Sequence, residues 1–202
     1  SAGLESLEFD AETRTLLAGH EYDVEFVRGC RRLDVDPVAL YGLREQYGAR
    51  LAIDRLAVGS RTPYDVSGLC DLADQYLLGV VSNNYQDVVR FVIDRYRLDA
   101  FDHVRGRATG VGGFYKRKPN PHYLLEAMSE LDAADGLYVG DRATDVLAAT
   151  RAGLESVFVE RPYNENAALP VEPTLSVESI ADLVERLTDI EESVPRPPVD
   201  GS

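Results

Sequence analysis

Residues 137–145 constrain the fold of this chain more than any other part of the sequence. They read Leu-Tyr-Val-Gly-Asp-Arg-Ala-Thr-Asp. The apolar start is typical of a strand buried in a parallel sheet, and residues 146–153 after it have the pattern of a helix that ends at a glycine. Asp141 and Asp145 therefore follow a strand at its carboxyl end, where open α/β sheets bind ligands. Two carboxylates there suit Mg²⁺, although the dipole of a helix alone also favours Asp145 in its first turn.

Composition narrows the class of protein. The chain has 202 residues, which is enough for one large core and a small second subdomain. It carries 35 acidic and 21 basic residues, a net charge of −14, which disfavours nucleic acid as a partner because phosphate contacts need Lys and Arg. No apolar run reaches the length of a membrane span, and no signal-peptide pattern is present. We therefore expect a cytoplasmic protein with no membrane partner, in which Cys30 and Cys70 are buried and unpaired.

The order of the predicted elements indicates an α/β fold with three parts. Residues 1–63 have helical periodicity, with a helix start at Asp36-Pro37, and predict a small helical cap. Residues 64–190 alternate strands and helices and predict a doubly wound, Rossmann-like parallel sheet. Residues 191–202 are rich in proline and predict a disordered tail. Within the second part we expect strands at 77–81, 101–104, 137–139 and 156–159, a glycine-rich turn at 110–113 and a final helix at 177–187.

Two further groups of polar residues follow the same pattern as Asp141. Ser82 and Asn83 come directly after the apolar strand at 77–81 and before a helix, where a hydroxyl and free backbone N–H groups form an anion site. An ordinary helix N-cap would explain them equally well. Lys118, held by the proline after it, is a point charge that suits a phosphate, or else belongs to a solvated basic loop. All three groups fall where the carboxyl edge of the sheet is expected.

This order of motifs resembles the haloacid dehalogenase superfamily of aspartate-nucleophile phosphatases. Residues 80–84, Val-Val-Ser-Asn-Asn, resemble the second motif of the family. Residues 118–121, Lys-Pro-Asn-Pro, resemble the third motif, and residues 140–145 resemble the fourth. The resemblance extends over residues 62–162, and it implies that the helical residues 1–63 form the cap that many members carry.

The resemblance implies a role for each candidate residue. Ser82 and the backbone of Asn83 would hold the transferred phosphoryl group, and Lys118 would neutralise charge on the nucleophile and on the phosphate. Asp141 would bind Mg²⁺ directly or through water, and Asp145 would support the metal site. The implied reaction is phosphoryl transfer from a small phosphorylated metabolite to an aspartate, followed by hydrolysis. Phosphoglycolate or a sugar phosphate is a plausible substrate on this basis. Asp141 disfavours a metal-free dehalogenase.

The first motif of the family, an apolar strand that ends in Asp-x-Asp and supplies the nucleophile, is not found. The nearest candidate is Asp10, in Phe-Asp-Ala-Glu. The segment before it carries Glu5 and Glu8, which a strand buried on both faces does not readily hold. We therefore expect Asp10 to be the N-cap of a helix through Leu16 and Leu17, and we assign no nucleophile.

Two explanations of the missing motif remain open at this stage. Either the chain is a phosphatase truncated before its central strand, or it is a non-catalytic regulatory protein that binds phosphate or metal on the same fold. Loss of a central strand would uncover backbone groups and apolar faces, which favours truncation. Both explanations predict little or no phosphatase activity for the chain alone. The sequence leaves the oligomeric state open.

Overall fold

The computed structural model describes residues 10–59 and 68–193. The helices in these residues are α1 (Ala11–Leu17), α2 (Val24–Arg32), α3 (Pro37–Val58), α4 (Leu69–Ala73), α5 (Gln86–Tyr96), α6 (Val111–Lys116), α7 (His122–Glu130), α8 (Ala143–Ala152) and α9 (Ile180–Ser193). The strands are β1 (Gly79–Tyr85), β2 (His103–Arg107), β3 (Leu137–Gly140), β4 (Glu155–Val159) and β5 (Leu175–Val177). Strands and helices alternate from β1 onwards. The chain therefore has the predicted α/β, Rossmann-like fold with a helical cap.

Aspartates begin each of the three cap helices. The Asp10 carboxylate accepts a hydrogen bond from the Thr13 amide at 2.7 Å, which confirms that Asp10 is a helix N-cap. Asp23 and Asp36 cap α2 and α3 in the same way. Each carboxylate satisfies an amide that has no partner inside its helix. The predicted helix start at Asp36-Pro37 is therefore also confirmed.

A cluster of mostly aromatic side chains packs the cap helices α2 and α3 against α6 of the core. Phe26 and Cys30 from α2 and Tyr41 from α3 pack against Phe114 of α6, and all four side chains are buried. The rings of Tyr41 and Phe114 meet edge to face, with 5.7 Å between their centroids. Such ring pairs add to the free energy gained from apolar burial, so the cap is held on one side of the sheet.

The strands form two parallel sheets. β1 pairs with β2, and β4 lies between β3 and β5. Among the described strands nothing pairs with the second edge of β1 or with the second edge of β3. In the second sheet, apolar side chains of β4 and β5 pack against α9; this cluster contains Val157, Val159, Val177 and Leu183.

The structure corrects several predicted boundaries. β1 runs from Gly79 to Tyr85 and thus extends through the polar residues that were expected to follow it. The glycines at 110–113 do not form a turn, because α6 begins at Val111. Residues 175–177 form β5, a strand too short to show a period, and the final helix begins only at Ile180. Cys30 is buried as expected, whereas Cys70 is exposed.

The domain boundaries remain predictions. The expected border between residues 63 and 64 lies outside the described residues. Helix α9 continues to Ser193, so its last residues fall within the predicted tail, and residues 194–202 lie outside the described part. Of the described helices, none combines the length and the apolar character that crossing a bilayer requires.

Candidate functional site

A cavity of about 280 Å³ lies between β1 and β3. Val81 of β1 forms one wall, and residues 138–140 of β3 form the other. Lys118, Asp141 and Asp145 also line the cavity. The structure therefore brings together three of the five residues that the sequence selected.

Lys118 is held by three partners at the base of the cavity. Its ammonium nitrogen Nζ lies 2.8 Å from a carboxylate oxygen of Asp145, and both side chains are less than a tenth exposed. Nζ also donates to the Val81 carbonyl at 3.0 Å and to the Tyr138 hydroxyl. A lysine ammonium has three donors, so all three are engaged. The positive charge is thus fixed in place, and a buried pair of this kind is stable only when its groups are satisfied.

Gly140 allows Asp145 to reach Lys118. Asp145 lies in the first turn of α8, and its carboxylate accepts from the Arg142 amide at 3.1 Å. A Cβ atom added to Gly140 would lie 2.4 Å from the Cβ of Asp145 and 2.6 Å from its carboxyl carbon. No larger residue fits there without moving the Asp145 side chain. The glycine at the end of β3 therefore sets how closely this carboxylate packs behind the strand.

The loop after β4 holds Asp141, a feature that the sequence analysis missed. The Tyr163 hydroxyl donates to the Asp141 carboxylate. The side chain of Asn164, which is nearly buried, donates to the Asp141 carbonyl at 2.8 Å and to the Val159 carbonyl at 2.9 Å. The two contacts with Asp141 join residues more than twenty positions apart, which no local pattern reveals. Asp141 lines the cavity, and these hydrogen bonds hold its side chain and its backbone carbonyl in place.

The described residues suit a metal ion that takes only one or two of its ligands from the protein. No group of three or more His, Cys, Asp or Glu side chains in the described part of the chain is arranged to hold a metal. Mg²⁺ does not need such a cage, because it keeps several waters and is usually bound by one or two carboxylates and by substrate phosphates. Asp141 supplies a suitable oxygen ligand, whereas Asp145 is engaged by Lys118.

Ser82 and Asn83 lie near this site but do not line the cavity. The Ser82 hydroxyl accepts from the Asn84 amide at 3.1 Å. Both residues belong to β1 rather than to a helix N-terminus, since α5 begins only at Gln86. The prediction that these two residues lie at the start of a helix is therefore wrong.

The side chain of Asn83 positions the backbone of Lys118. It accepts from the Lys118 amide at 2.7 Å and donates to the Lys118 carbonyl at 3.0 Å. This pair of hydrogen bonds fixes the loop that carries the lysine to the end of β1. In this structure the Asn83 side chain therefore contributes to the site by positioning Lys118.

Tyr138 bridges the two sheets. Its hydroxyl donates to the Val81 carbonyl at 2.8 Å and is partnered by Lys118. Burial, with a smaller contribution from the charges of Asp145 and Asp141, raises the pKa of Tyr138 well above its usual value. The phenol is therefore neutral and a hydrogen-bond donor at physiological pH. Neighbouring strands lie about 4.8 Å apart, so a side chain that spans from β3 to β1 marks a gap wider than one strand spacing.

Part of the chain is similar to known proteins. Residues 115–183 match the family model described as HAD-hydrolase-like. Dihydroxyacetone phosphatase of Corynebacterium glutamicum is 36% identical over 84 residues, which cover 39% of this chain and 30% of the relative. Phosphoglycolate phosphatase 1 of Pseudomonas aeruginosa is 36% identical over 72 residues, or 34% of this chain and 26% of the relative.

Solved structures show the same fold. A predicted phosphoglycolate phosphatase from Haemophilus somnus superposes with a TM-score of 0.58 at 20% identity, covering 89% of this chain and 83% of that one. The D,D-heptose 1,7-bisphosphate phosphatase from B. bronchiseptica, complexed with magnesium and phosphate, gives a TM-score of 0.53 at 20% identity and covers 64% and 84%.

The described residues form an α/β core with a helical cap, the fold of these solved structures. Residues 115–183 of the chain are similar to the HAD-hydrolase-like family, and a segment of 72 residues is 35% identical to a phosphoglycolate phosphatase of Pseudomonas fluorescens. The matched segments span less than a third of the length of these curated relatives.

Proposed function

We propose that this chain supplies the metal-binding and charge-neutralising part of a Mg²⁺-dependent phosphatase of small phosphorylated metabolites. The observation that carries the proposal is the arrangement of Lys118, Asp145 and Asp141 around one cavity at the end of β3. Fixed charges of this kind, placed where negative charge develops, account for most of the catalysis in phosphoryl transfer. The names of the relatives favour phosphoglycolate or a sugar phosphate as the substrate.

Each residue has a definite part in this proposal. The Lys118 ammonium meets the negative charge of the phosphate, and Asp145 holds that ammonium at the base of the cavity. The Asp141 carboxylate is the protein ligand of Mg²⁺, which when bound neutralises charge on the phosphate oxygens. The proposal also assigns Ser82 and the Asn83 backbone to the phosphate, although neither residue lines the cavity in this structure. The Asn83 side chain keeps Lys118 in register.

The nucleophile comes, in this proposal, from a strand outside the described residues. The facing edges of β1 and β3 have no strand partner among those described, and unpaired edges are a template for strand addition. Asp141 and Asp145 are the carboxylates that line the cavity, and both have other roles. Asp10 caps α1 and pairs with Arg32 at 3.1 Å, away from this cavity. We therefore propose that the 202-residue chain alone does not turn over phosphate esters.

Metal binding tests the role of Asp141. We expect Asp141→Asn to weaken binding of Mn²⁺, used as a paramagnetic substitute for Mg²⁺, by at least about tenfold, because one charged ligand is removed. Electron paramagnetic resonance of free Mn²⁺ measures the affinity. Asp132→Asn is the matched control, since Asp132 is exposed and in a left-handed conformation that Asn also adopts. Equal affinities in wild type and Asp141→Asn would contradict the assignment.

A non-catalytic phosphate- or metal-binding protein is the second candidate. It is favoured by one observation, namely that no carboxylate among the described residues stands free to act as nucleophile at the cavity. On this alternative the site would bind a phosphorylated ligand and leave it intact.

Complementation distinguishes the two candidates. We expect no hydrolysis of p-nitrophenyl phosphate by the chain alone, and measurable hydrolysis after addition of a peptide with an apolar strand that ends in Asp-x-Asp. The control peptide carries Asn in place of the first Asp. If the chain alone hydrolyses this ester and Asp141→Asn abolishes the hydrolysis, the proposal that the chain lacks its nucleophile is refuted. Binding of the active peptide without any turnover would favour the non-catalytic protein.

The cellular setting is also a proposal. A net charge of −14 suits a protein kept in solution by surface carboxylates and disfavours contact with nucleic acid. We therefore propose a cytoplasmic location and a small-molecule partner.

A further inference from the structure

A buried ion pair joins the cap to the sheet. Arg107, the last residue of β2, donates to both carboxylate oxygens of Glu45 on α3, at 2.6 and 2.9 Å. The two side chains are only 9% and 4% exposed. The Gly110 amide donates to the same carboxylate at 2.6 Å. Burying two charges is costly unless every group is satisfied, and here the carboxylate is satisfied by the guanidinium and by a backbone amide.

The same arginine reaches the end of β1. Its Nε donates to the Asn83 carbonyl at 3.0 Å, and its guanidinium carbon lies 4.3 Å from the ring centroid of Tyr85. Because a guanidinium is planar and rigid, the Nε donor and the two terminal nitrogens move together. The position of Glu45 on the cap therefore fixes the position of the Asn83 carbonyl.

Asn83 continues the connection to Lys118. Its side-chain amide forms both hydrogen bonds to the Lys118 backbone, at 2.7 and 3.0 Å. An unbroken set of polar contacts thus runs from the cap helix through Arg107 and Asn83 to the lysine in the cavity. Charge-assisted and bidentate hydrogen bonds are the strongest contacts of this type, so the connection is stiff.

We infer that Glu45 and Arg107 are positioning residues that couple the placement of cap helix α3 to the placement of Lys118. The inference rests on the proposed function for the role of Lys118. In this inference a displacement of α3 is transmitted through Glu45 and Arg107 to the lysine that meets the phosphate. The cap thereby affects the phosphate site without contacting the phosphate.

A second pair on the same strand lacks this connection. Arg105, two residues before Arg107, pairs with Glu126 of α7 at 2.8 Å. That pair is about a third exposed and joins the sheet to a core helix rather than to the cap. Glu126→Gln therefore removes the carboxylate that pairs with an arginine of the same strand, and it serves as the matched control.

Hydrogen exchange of the Lys118 amide tests the coupling in the unliganded full chain. We expect Glu45→Gln to accelerate this exchange on the order of tenfold, since the clamp by Asn83 loosens, while amides of β4 keep the wild-type rate. Glu126→Gln should leave the Lys118 amide unchanged. Unchanged exchange in Glu45→Gln, or equal acceleration in Glu126→Gln, would overturn the inference. Faster exchange at β4 as well would show general destabilisation instead of coupling and would also count against it.

A second variant and a second readout complete the test. Arg107→Lys keeps the charge, but a lysine cannot donate to Glu45 and Asn83 through one rigid group. This variant should therefore accelerate hydrogen exchange of the Lys118 amide, and it keeps the test open if Glu45→Gln does not fold. Affinity for inorganic phosphate should fall in both variants and not in Glu126→Gln. If the wild type does not bind phosphate, the proposed function fails, while the exchange result still decides the coupling. Unchanged exchange in Arg107→Lys would refute the coupling independently.

Discussion

Gly140 shows how single residues determine the geometry of the cavity. Its missing side chain lets the Asp145 carboxylate pack directly behind β3 and pair with Lys118. A Cβ atom added to Gly140 would lie 2.4 Å from the Cβ of Asp145, a distance that real Cβ atoms essentially never show. The position therefore requires glycine for close approach, not for backbone flexibility.

Substitution of this glycine is expected to destabilise the fold. Gly140→Ala should lower the free energy of unfolding by about 1–3 kcal/mol, because an added methyl group forces the Asp145 side chain to move. Urea denaturation monitored by circular dichroism measures the change. Gly112→Ala in α6 is the control, since a Cβ there meets no atom within 4 Å. Helix propensity predicts a neutral or stabilising effect of about 0.5–1 kcal/mol for this control. A neutral Gly140→Ala would contradict the packing argument.

The sequence predicted site residues that belong to local motifs and missed those that depend on distant contacts. Asp141 and Asp145 stood out because they follow an apolar strand at a recognisable spacing, and Lys118 stood out because a proline comes directly after it. Tyr138 looked like one more member of an apolar strand, yet its hydroxyl bonds a carbonyl 57 positions away. The partner of Arg107, Glu45, is 62 positions away, which no local sequence pattern reveals.

At the scale of elements, helix starts were the most predictable features. Asp10 and Asp36 were correctly read as N-caps because a side-chain oxygen at this position satisfies a free amide of the first turn. Strand ends were less predictable. β1 continues through three polar residues, Ser82, Asn83 and Asn84, which side-chain polarity alone would place in a loop. β5 has only three residues and is recognisable only from its pairing with β4.

The N-cap of α1 predicts a measurable titration. Hydrogen bonds from Thr13, followed by that from Arg32, lower the pKa of Asp10 from 3.8 to about 2. A lowered pKa in the folded state means that the carboxylate stabilises the fold above about pH 4, and that this contribution is lost as the pH falls towards 2. Carbon-13 NMR of the side-chain carboxyl should show a midpoint near 2. Asp10→Asn keeps a capping oxygen and removes this titration. A midpoint near 4 would contradict the capping geometry.

At the scale of the whole molecule, the division of the sheet is the most informative feature. The sequence predicted a parallel α/β sheet, and every described strand pair is parallel. The motif of a central strand was not found in the sequence, and among the described strands none pairs with the facing edges of β1 and β3, between which Tyr138 reaches. The placement of the cap could not be predicted, because it depends on Glu45, Arg107 and the aromatic cluster around Tyr41.

We propose that this gap borders a phosphate site that depends on a divalent metal. Isothermal titration calorimetry of inorganic phosphate into the full chain, with and without Mg²⁺, tests it most directly. We predict that phosphate binds more tightly with Mg²⁺ by at least about tenfold, which corresponds to about 1.4 kcal/mol of coupling free energy, and that Asp141→Asn abolishes the difference. Phosphate binding that is absent, or that is equal with and without Mg²⁺, would contradict the claim.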